Sequence, residues 1–194
     1  KYSCKVSNEA GFEDKSQEAT ITVVMVPVPP TIDGDRGHPK PQEVKLGEKV
    51  LFKVKAKGSD LRYQWKKVIN NKDPENIKGA TKAIYTIEKT IADDDQVKFW
   101  CVISNDKGKV ESHPAKLTLL FNVEFDVGED VSGSVPKDSY KTRNEKVKLP
   151  DKNTLTRKGY ELKEWKDGNG NKYETGYNYT MESKSVIFSA VWEK

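Results

Sequence analysis

The chain is poor in the residues that do chemistry. Its 194 residues hold two histidines, His38 and His113, and two cysteines, Cys4 and Cys101. Each histidine stands beside a proline in an expected loop or strand end. No base is placed next to a nucleophile, and no third group orients one. Catalysis is not expected. Long apolar runs are missing too: the most apolar stretch, Val23-Val24-Met25-Val26-Pro27-Val28, is far too short to span a bilayer. No secretory leader is present, but the chain reads as beginning inside a domain, so that absence does not argue against secretion.

A strong charge of one sign is also lacking. The net charge is +4, and it is unevenly placed: residues 31–120 carry 18 Lys/Arg against 13 Asp/Glu, while residues 121–194 carry 13 of each. A surplus of this size attracts anionic surfaces or glycans only weakly. Nucleic-acid binding shows a denser patch, so no nucleic acid is expected and a solvated strand face is preferred. Charged residues at 33% and hydrophobic ones at 35% suit small, surface-rich modules, with room for about two of roughly 100 residues.

What the chain does contain is a repeated strand pattern. Phe99-Trp100-Cys101-Val102-Ile103-Ser104-Asn105 ends at Gly108, and Tyr2-Ser3-Cys4-Lys5-Val6-Ser7-Asn8 ends at Gly11. Each copy alternates apolar residues through an aromatic and a cysteine, then turns at Ser-Asn-x-x-Gly. Two copies about one domain apart indicate repeated modules. The cysteines occupy equivalent places in the two copies, so they are not expected to bond to each other.

Along the chain, strands are expected over Tyr2–Ser7 and Ala19–Val24, as a domain remnant that leans on a neighbour or stays poorly ordered. Pro27-Val28-Pro29-Pro30 predicts a stiff linker over 25–30. Residues 31–120 then alternate: Val50, Phe52, Val54 and Ala56 against a lysine row, Leu61-Tyr63-Trp65 against polar residues, then Tyr85 and Ile87, Val97 to Ile103, and Ala115 to Leu119. Helical periodicity of useful length is absent there, so this reads as an antiparallel sandwich.

Trp65 in Tyr-Gln-Trp, the aromatic before Cys101, Ser-Asn-x-x-Gly and the Ala-x-Leu-Thr strand together resemble the immunoglobulin-like fold. The resemblance covers residues 31–120 fully and residues 1–24 as the last two strands. The wording around Tyr-Gln-Trp-Lys-Lys and Asp-Asp-Asp-Gln-Val-Lys-Phe-Trp-Cys is similar to modules of bacterial secreted and surface proteins. That family's first cysteine would stand at Val54, which leaves Cys101 unbridged and forgoes a stabilisation of about 2–4 kcal/mol. The expected core is Val54, Trp65, Phe99 and Cys101, with Phe99 where antibody-type domains carry a tyrosine.

Residues 121–194 change character. Val123-x-Phe125, Leu149-Pro150, Gly159-Tyr160-x-Leu162-x-x-Trp165 and Phe188-x-Ala190-x-Trp192 follow in that order. They resemble the Listeria–Bacteroides repeat of bacterial surface proteins, which implies a small, mostly β module with a curved sheet, often in tandem near the cell wall. The run Val127 to Gly133 replaces that family's usual turn and predicts a longer or bulged first hairpin.

The fold class expected is thus all-β to mainly β, an immunoglobulin-like sandwich followed by a small repeat module. Cys101 points inward and is read as a core thiol, whereas Cys4 is open to exposure. Asp167-x-Asn169-x-Asn171 spells the start of a calcium loop, but Lys172 stands where a glycine belongs, so a hairpin turn is preferred. Asp93-Asp94-Asp95 is read as a solvated loop in preference to a calcium site, and Asp33-Gly34-Asp35 fits an inter-domain calcium clamp near the linker, again as the lesser reading. No cofactor or metal is expected. Trp100 points away from Phe99 and Cys101, and with Tyr173 and Tyr177 it forms the candidate interaction surface, although module contact or cross-strand pairing is the stronger role for each.

Function is expected to be non-catalytic: a stalk or spacer of a bacterial protein that is secreted or attached to the cell wall, with adhesion or ligand binding. The partners would be neighbouring modules and a host or matrix protein or glycan, without membrane insertion. Two alternatives stand beside it: accessory glycan- or protein-binding modules of a large secreted hydrolase, and an intracellular scaffold of muscle-type immunoglobulin domains.

Overall fold

The computed structural model describes residues 1–23, 26–69 and 72–194. Val24, which ends the strand expected over Ala19–Val24, and Met25, which opens the expected linker, lie outside the described residues.

Near the start, β1 (Lys5–Ser7) and β2 (Glu13–Lys15) pair antiparallel as a separate two-stranded sheet, and Tyr2 bridges Ala19. The partner of the first strand is therefore Glu13–Lys15, and residues 19–23 of the expected second strand contribute only the Ala19 bridge. The turn decides this. The Asn8 side-chain carbonyl accepts the Ala10 and Phe12 N–H groups, each at 3.1 Å, and Gly11 takes a positive φ of 82°. The chain folds back at once, Ser7 falls opposite Glu13, and the register is set by turn chemistry rather than by the β-branched run.

Residues 31–120 form two layers. One holds β3 (Thr31–Ile32) and β5 (Val50–Lys53), paired respectively with β6 (Ala56–Lys57) and β9 (Ile84–Ile87). The other runs from β4 (Gln42–Lys45) through β12 (Ala115–Asp126), β10 (Lys98–Asn105) and β7 (Arg62–Val68) to β8 (Glu75–Asn76), with β11 (Gly108–Glu111) sharing with β12 the edge of β10 that faces away from β7. The alternation of each strand sends its apolar row into the gap between layers. There Phe52 stacks on Phe99 with centroids 4.8 Å apart, and Trp65 and Tyr85 complete the cluster. This is an immunoglobulin-like sandwich held by aromatic packing, with both thiols free.

The chain changes layer between β3 and β4 at the 3-10 turn Asp35–Gly37. Gly37 has no room for a side chain, because a Cβ would lie 2.6 Å from the Lys55 carbonyl oxygen. That close approach lets the Lys55 N–H reach the Gly37 carbonyl at 2.9 Å before the two layers part.

Residues 121–194 add β13 (Val131–Gly133), β14 (Ser139–Thr142), β15 (Lys146–Lys148), β16 (Leu155–Arg157), β17 (Glu161–Lys166), β18 (Lys172–Glu174), β19 (Asn178–Thr180) and β20 (Val186–Glu193). Their main sheet runs β18–β17–β20–β12, with β20 parallel to β12. The first hairpin is a long one, as expected. β13 leaves to pair with β16, and β14 lies antiparallel to β12 instead. The Asp126 carboxylate accepts the Gly128 N–H at 3.1 Å, and Gly128 and Asp130 both take positive φ, which turns the chain away from the β12 edge.

The four ordered motifs converge here. Phe125 meets Trp165 edge-on at 5.6 Å and Phe188 at 5.8 Å, while the Trp165 indole N–H donates to the Pro150 carbonyl at 3.1 Å. Leu149, Leu162 and Val123 fill the space around them as buried residues.

One strand serves both parts. Along β12 the odd residues Ala115, Leu117, Leu119, Phe121 and Val123 are fully buried, so the same face stays inward through the whole length. Its partners change over near residues 120–123: β4 gives way to β20 and β10 gives way to β14. The Asp95 carboxylate ties the junction, accepting the Leu119 N–H at 2.9 Å and approaching the Ser183 hydroxyl at 3.5 Å.

Candidate functional site

Val54, Trp65, Phe99 and Cys101 are all buried. Trp65 and Cys101 are directly opposed on β7 and β10, so their side chains share the inner face. The Trp65 indole donates to the Lys82 carbonyl at 2.8 Å, which satisfies its one polar group inside the core. Burial pushes the Cys101 thiol up to about 12. With the thiolate so disfavoured, this sulfur is no nucleophile at neutral pH.

Trp100 is half-exposed on the outer face of the same strand. Its indole N–H donates to the Glu111 carboxylate at 3.2 Å. A shallow groove of about 280 Å³ runs beside it, bounded by Val68, Lys98, Glu111, Ser112 and Pro114. A ring fixed from one edge, with an open face and a proline nearby, suits stacking on a flat ligand such as a sugar ring or a peptide proline.

Tyr173 and Tyr177 sit elsewhere. Their rings lie 5.4 Å apart, but Tyr173 is also packed edge-on against Tyr179 and Phe188. The Tyr173 hydroxyl donates to the Asp167 carboxylate at 3.1 Å, and burial followed by that carboxylate raises its phenol to about 12. Tyr177 is 48% exposed and offers the open half of the pair. Among the described residues no aromatic contact joins either tyrosine to Trp100, so the three do not form one surface.

The acidic stretches are occupied by protein groups. Asp167 accepts the Asn169 and Asn171 backbone N–H groups, the Asn171 amide and the Tyr173 hydroxyl. Burial pushes its carboxyl up, but these donors outweigh that and hold it below the usual carboxylate range. The turn is thus built around Asp167 with its acceptor positions filled. Asp33 is clasped by Lys55 and Lys57 at 2.8 and 2.6 Å, and hydrogen bonds from these two lysines lower its carboxyl to about 2. Asp94 accepts the Ile91 N–H, while Asp95 turns into the junction. Among the described residues, no group of three His, Cys, Asp or Glu side chains is arranged to hold a metal ion.

The two histidines form a pair that sequence reasoning did not foresee. Their rings stack with centroids 3.8 Å apart and planes within 3°. The His113 backbone N–H donates to His38 Nδ1 at 2.9 Å, so that nitrogen is unprotonated. Burial, then the neighbouring His113, lowers the His38 titration. The sheet register accounts for the pair. Each histidine opens a His-Pro dipeptide just before a strand, and the parallel register that sets Gln42 beside Leu117 sets His38 beside His113 when extended back.

Comparison with known proteins gives the following. No family model matches the chain. A Gly-rich membrane protein of Evansella cellulosilytica is 33% identical over 76 residues, 38% of this chain and 9% of that protein. The muscle M-line assembly protein unc-89 of Caenorhabditis elegans is 32% identical over 148 residues, 70% of this chain and 2% of that protein. The chain therefore spans a small fraction of the curated relatives it matches. Among solved structures, the eight N-terminal immunoglobulin domains of DSCAM isoform 1.30.30 align with a TM-score of 0.47 at 12% identity, over 97% of this chain and 26% of that one. Sidekick-1 immunoglobulin domains 1–5 align with a TM-score of 0.42 at 13% identity, over 86% and 38%.

Proposed function

We propose that the chain is a non-catalytic spacer of a bacterial secreted or cell-surface modular protein. In this reading an immunoglobulin-like unit covers residues 31–120, and residues 1–24 carry the closing strands of a second such unit. Residues 25–30 are the linker, and residues 121–194 form a Listeria–Bacteroides repeat-like unit. The observation that supports it is β12, which runs without a break, with one buried face, through a single sheet whose strands come from both residues 31–120 and residues 121–194. A strand held on both edges by different partners resists bending at the joint, which is what a stalk requires. The Trp100 face would supply adhesion to a host or matrix glycan or protein, and no cofactor is involved. Small-angle scattering tests the reading: a rod with its units end to end is expected, and a compact globule or freely jointed profile would falsify it. In the alternative, accessory modules of a large secreted hydrolase, the Trp100 groove becomes the main function. Glycan-array binding lost in Trp100→Ala would favour that alternative.

A second reading rests on the match to the muscle M-line protein, which covers more of the chain than the bacterial one. It makes the chain part of an intracellular scaffold, where the unbridged Cys101 is at home. Expression in cultured muscle cells separates the two: sarcomeric localisation supports the scaffold, and diffuse staining counts against it.

A further inference from the structure

Between β4 and β5 the surface opens into a groove of about 410 Å³ whose walls carry Arg36, Lys40, Lys49 and Lys53 and no carboxylate. Its origin is the change of layer after β3. Up to Gly37 the incoming chain covers the edge of the β5 layer, and its last backbone bond there is the one from Lys55. Beyond that point the chain belongs to the other layer as β4, beside β12.

The edge of β5 is left open as a result. Directly opposed residues of an antiparallel pair alternate between exchanging backbone bonds and turning them away. Val54 donates to Ala83, opposite it, at 2.9 Å. Phe52 and Val50 therefore bond to β9, whereas Leu51 and Lys53 turn N–H and C=O the other way, into the groove. Among the described residues no backbone group meets them. Leu51 is 41% exposed.

The charge of the groove is also unspent. Arg36, Lys40 and Lys53 enter no ion pair among the described residues, and Lys49 holds Glu88 at the rim. The next lysines along the outward row, Lys55 and Lys57, are both neutralised by Asp33. Free positive charge is thus concentrated beside the open edge.

We propose that the β5 edge receives an extended acidic peptide as an added strand, its backbone bonding to Leu51 and Lys53 and its carboxylates meeting Arg36, Lys40 and Lys53. Strand addition draws affinity from main-chain bonds and specificity from side chains at alternate positions, and both elements are present here. A sulfated polysaccharide matches the cations but offers no N–H and C=O at strand period. A nucleic acid needs open rings to stack on, and the ring in this groove, His38, is already stacked on His113. The inference is independent of the spacer reading, since an open edge can serve any modular protein.

The test is titration of the full chain at low salt with a fluorescent peptide of about seven alternating Glu and Val residues, a usual strand length, read by anisotropy and amide NMR. Saturable binding is expected, with shifts centred on Leu51 and Lys53. Methylating alternate peptide nitrogens should weaken it about tenfold, because the main-chain bonds are lost. Arg36→Glu with Lys53→Glu should weaken it at least as much, with circular dichroism checking the fold. If that variant fails to fold, the methylated peptide still decides. No saturable binding, equal binding of the methylated peptide, shifts away from β4 and β5, or tighter binding of a sulfated polysaccharide or an oligonucleotide at the same groove each overturns the proposal.

Discussion

Cys101 and Cys4 share a place in the repeated strand pattern but not an environment. Cys101 is fully buried against Trp65, and burial pushes its thiol up to about 12; Cys4 is exposed. A thiol reagent at pH 8 should therefore count one reactive cysteine in the native chain and two after denaturation. Two fast-reacting native thiols would contradict the sealed core. The histidine pair sets a pH dependence. The folded-state titration of His38 lies below its unfolded value of 6.5, chiefly through burial, so the unfolded chain binds more protons in that interval. Stability is then full above pH 6.5 and falls as the pH drops from there towards the folded value. Protonation of Nδ1 also removes the acceptor of the His113 N–H. The denaturation midpoint should decrease between pH 7.5 and 5.5, and His38→Gln should flatten that slope. A separate loss belongs to Asp33, whose contribution is present above its ordinary value of 3.8 and disappears as the pH falls towards about 2.

At the scale of elements, β12 carries the most consequence. Its inward residues are fully buried on both sides of the joint, so Phe121 sits where two sets of strands are handed over. Phe121→Ala should cost about 3–5 kcal/mol, the usual range for a large buried aromatic, read as a lowered urea midpoint. A loss below about 1 kcal/mol would show that the joint is loosely packed. Element pairing is also where sequence reasoning met its limit. The alternation of β5, β7, β9 and β10 was legible, because period-2 patterning is local. β4 was not foreseen: its Gln42-Glu43-Val44-Lys45 has only one apolar residue, and its strand state comes from the β12 edge. The turn at Asn8–Gly11 likewise overrode the β propensity of Ala19 to Val23, since a tight turn commits the register before longer-range preference acts.

At the scale of the whole molecule, the joint along β12 and the seating of Val28 hold parts of the chain that are far apart in sequence. The Val28 N–H donates to the Ser59 hydroxyl oxygen at 3.0 Å, the Val28 carbonyl accepts the Ser59 N–H at 3.1 Å, and the Asn105 amide donates to that same carbonyl. The Asn of the Ser-Asn-x-x-Gly motif is thus the clasp that holds Val28 and Ser59 together. Spin labels placed in residues 31–120 and 121–194 should give one narrow distance distribution, and inserting Gly-Gly between Leu120 and Phe121 should broaden it. A broad distribution in the unaltered chain would remove the support that β12 lends to a stalk.

Sequence by itself determined the all-β class and the inward rows of residues 31–120, because alternation and turn residues act over a few neighbours. Tertiary structure alone decided the rest. The stacked histidines, the Asp95 tie to Ser183 and the open edge of β5 each depend on partners far apart in the chain. Their registers are fixed only when whole sheets close over a shared core, and no local pattern of residues carries that information.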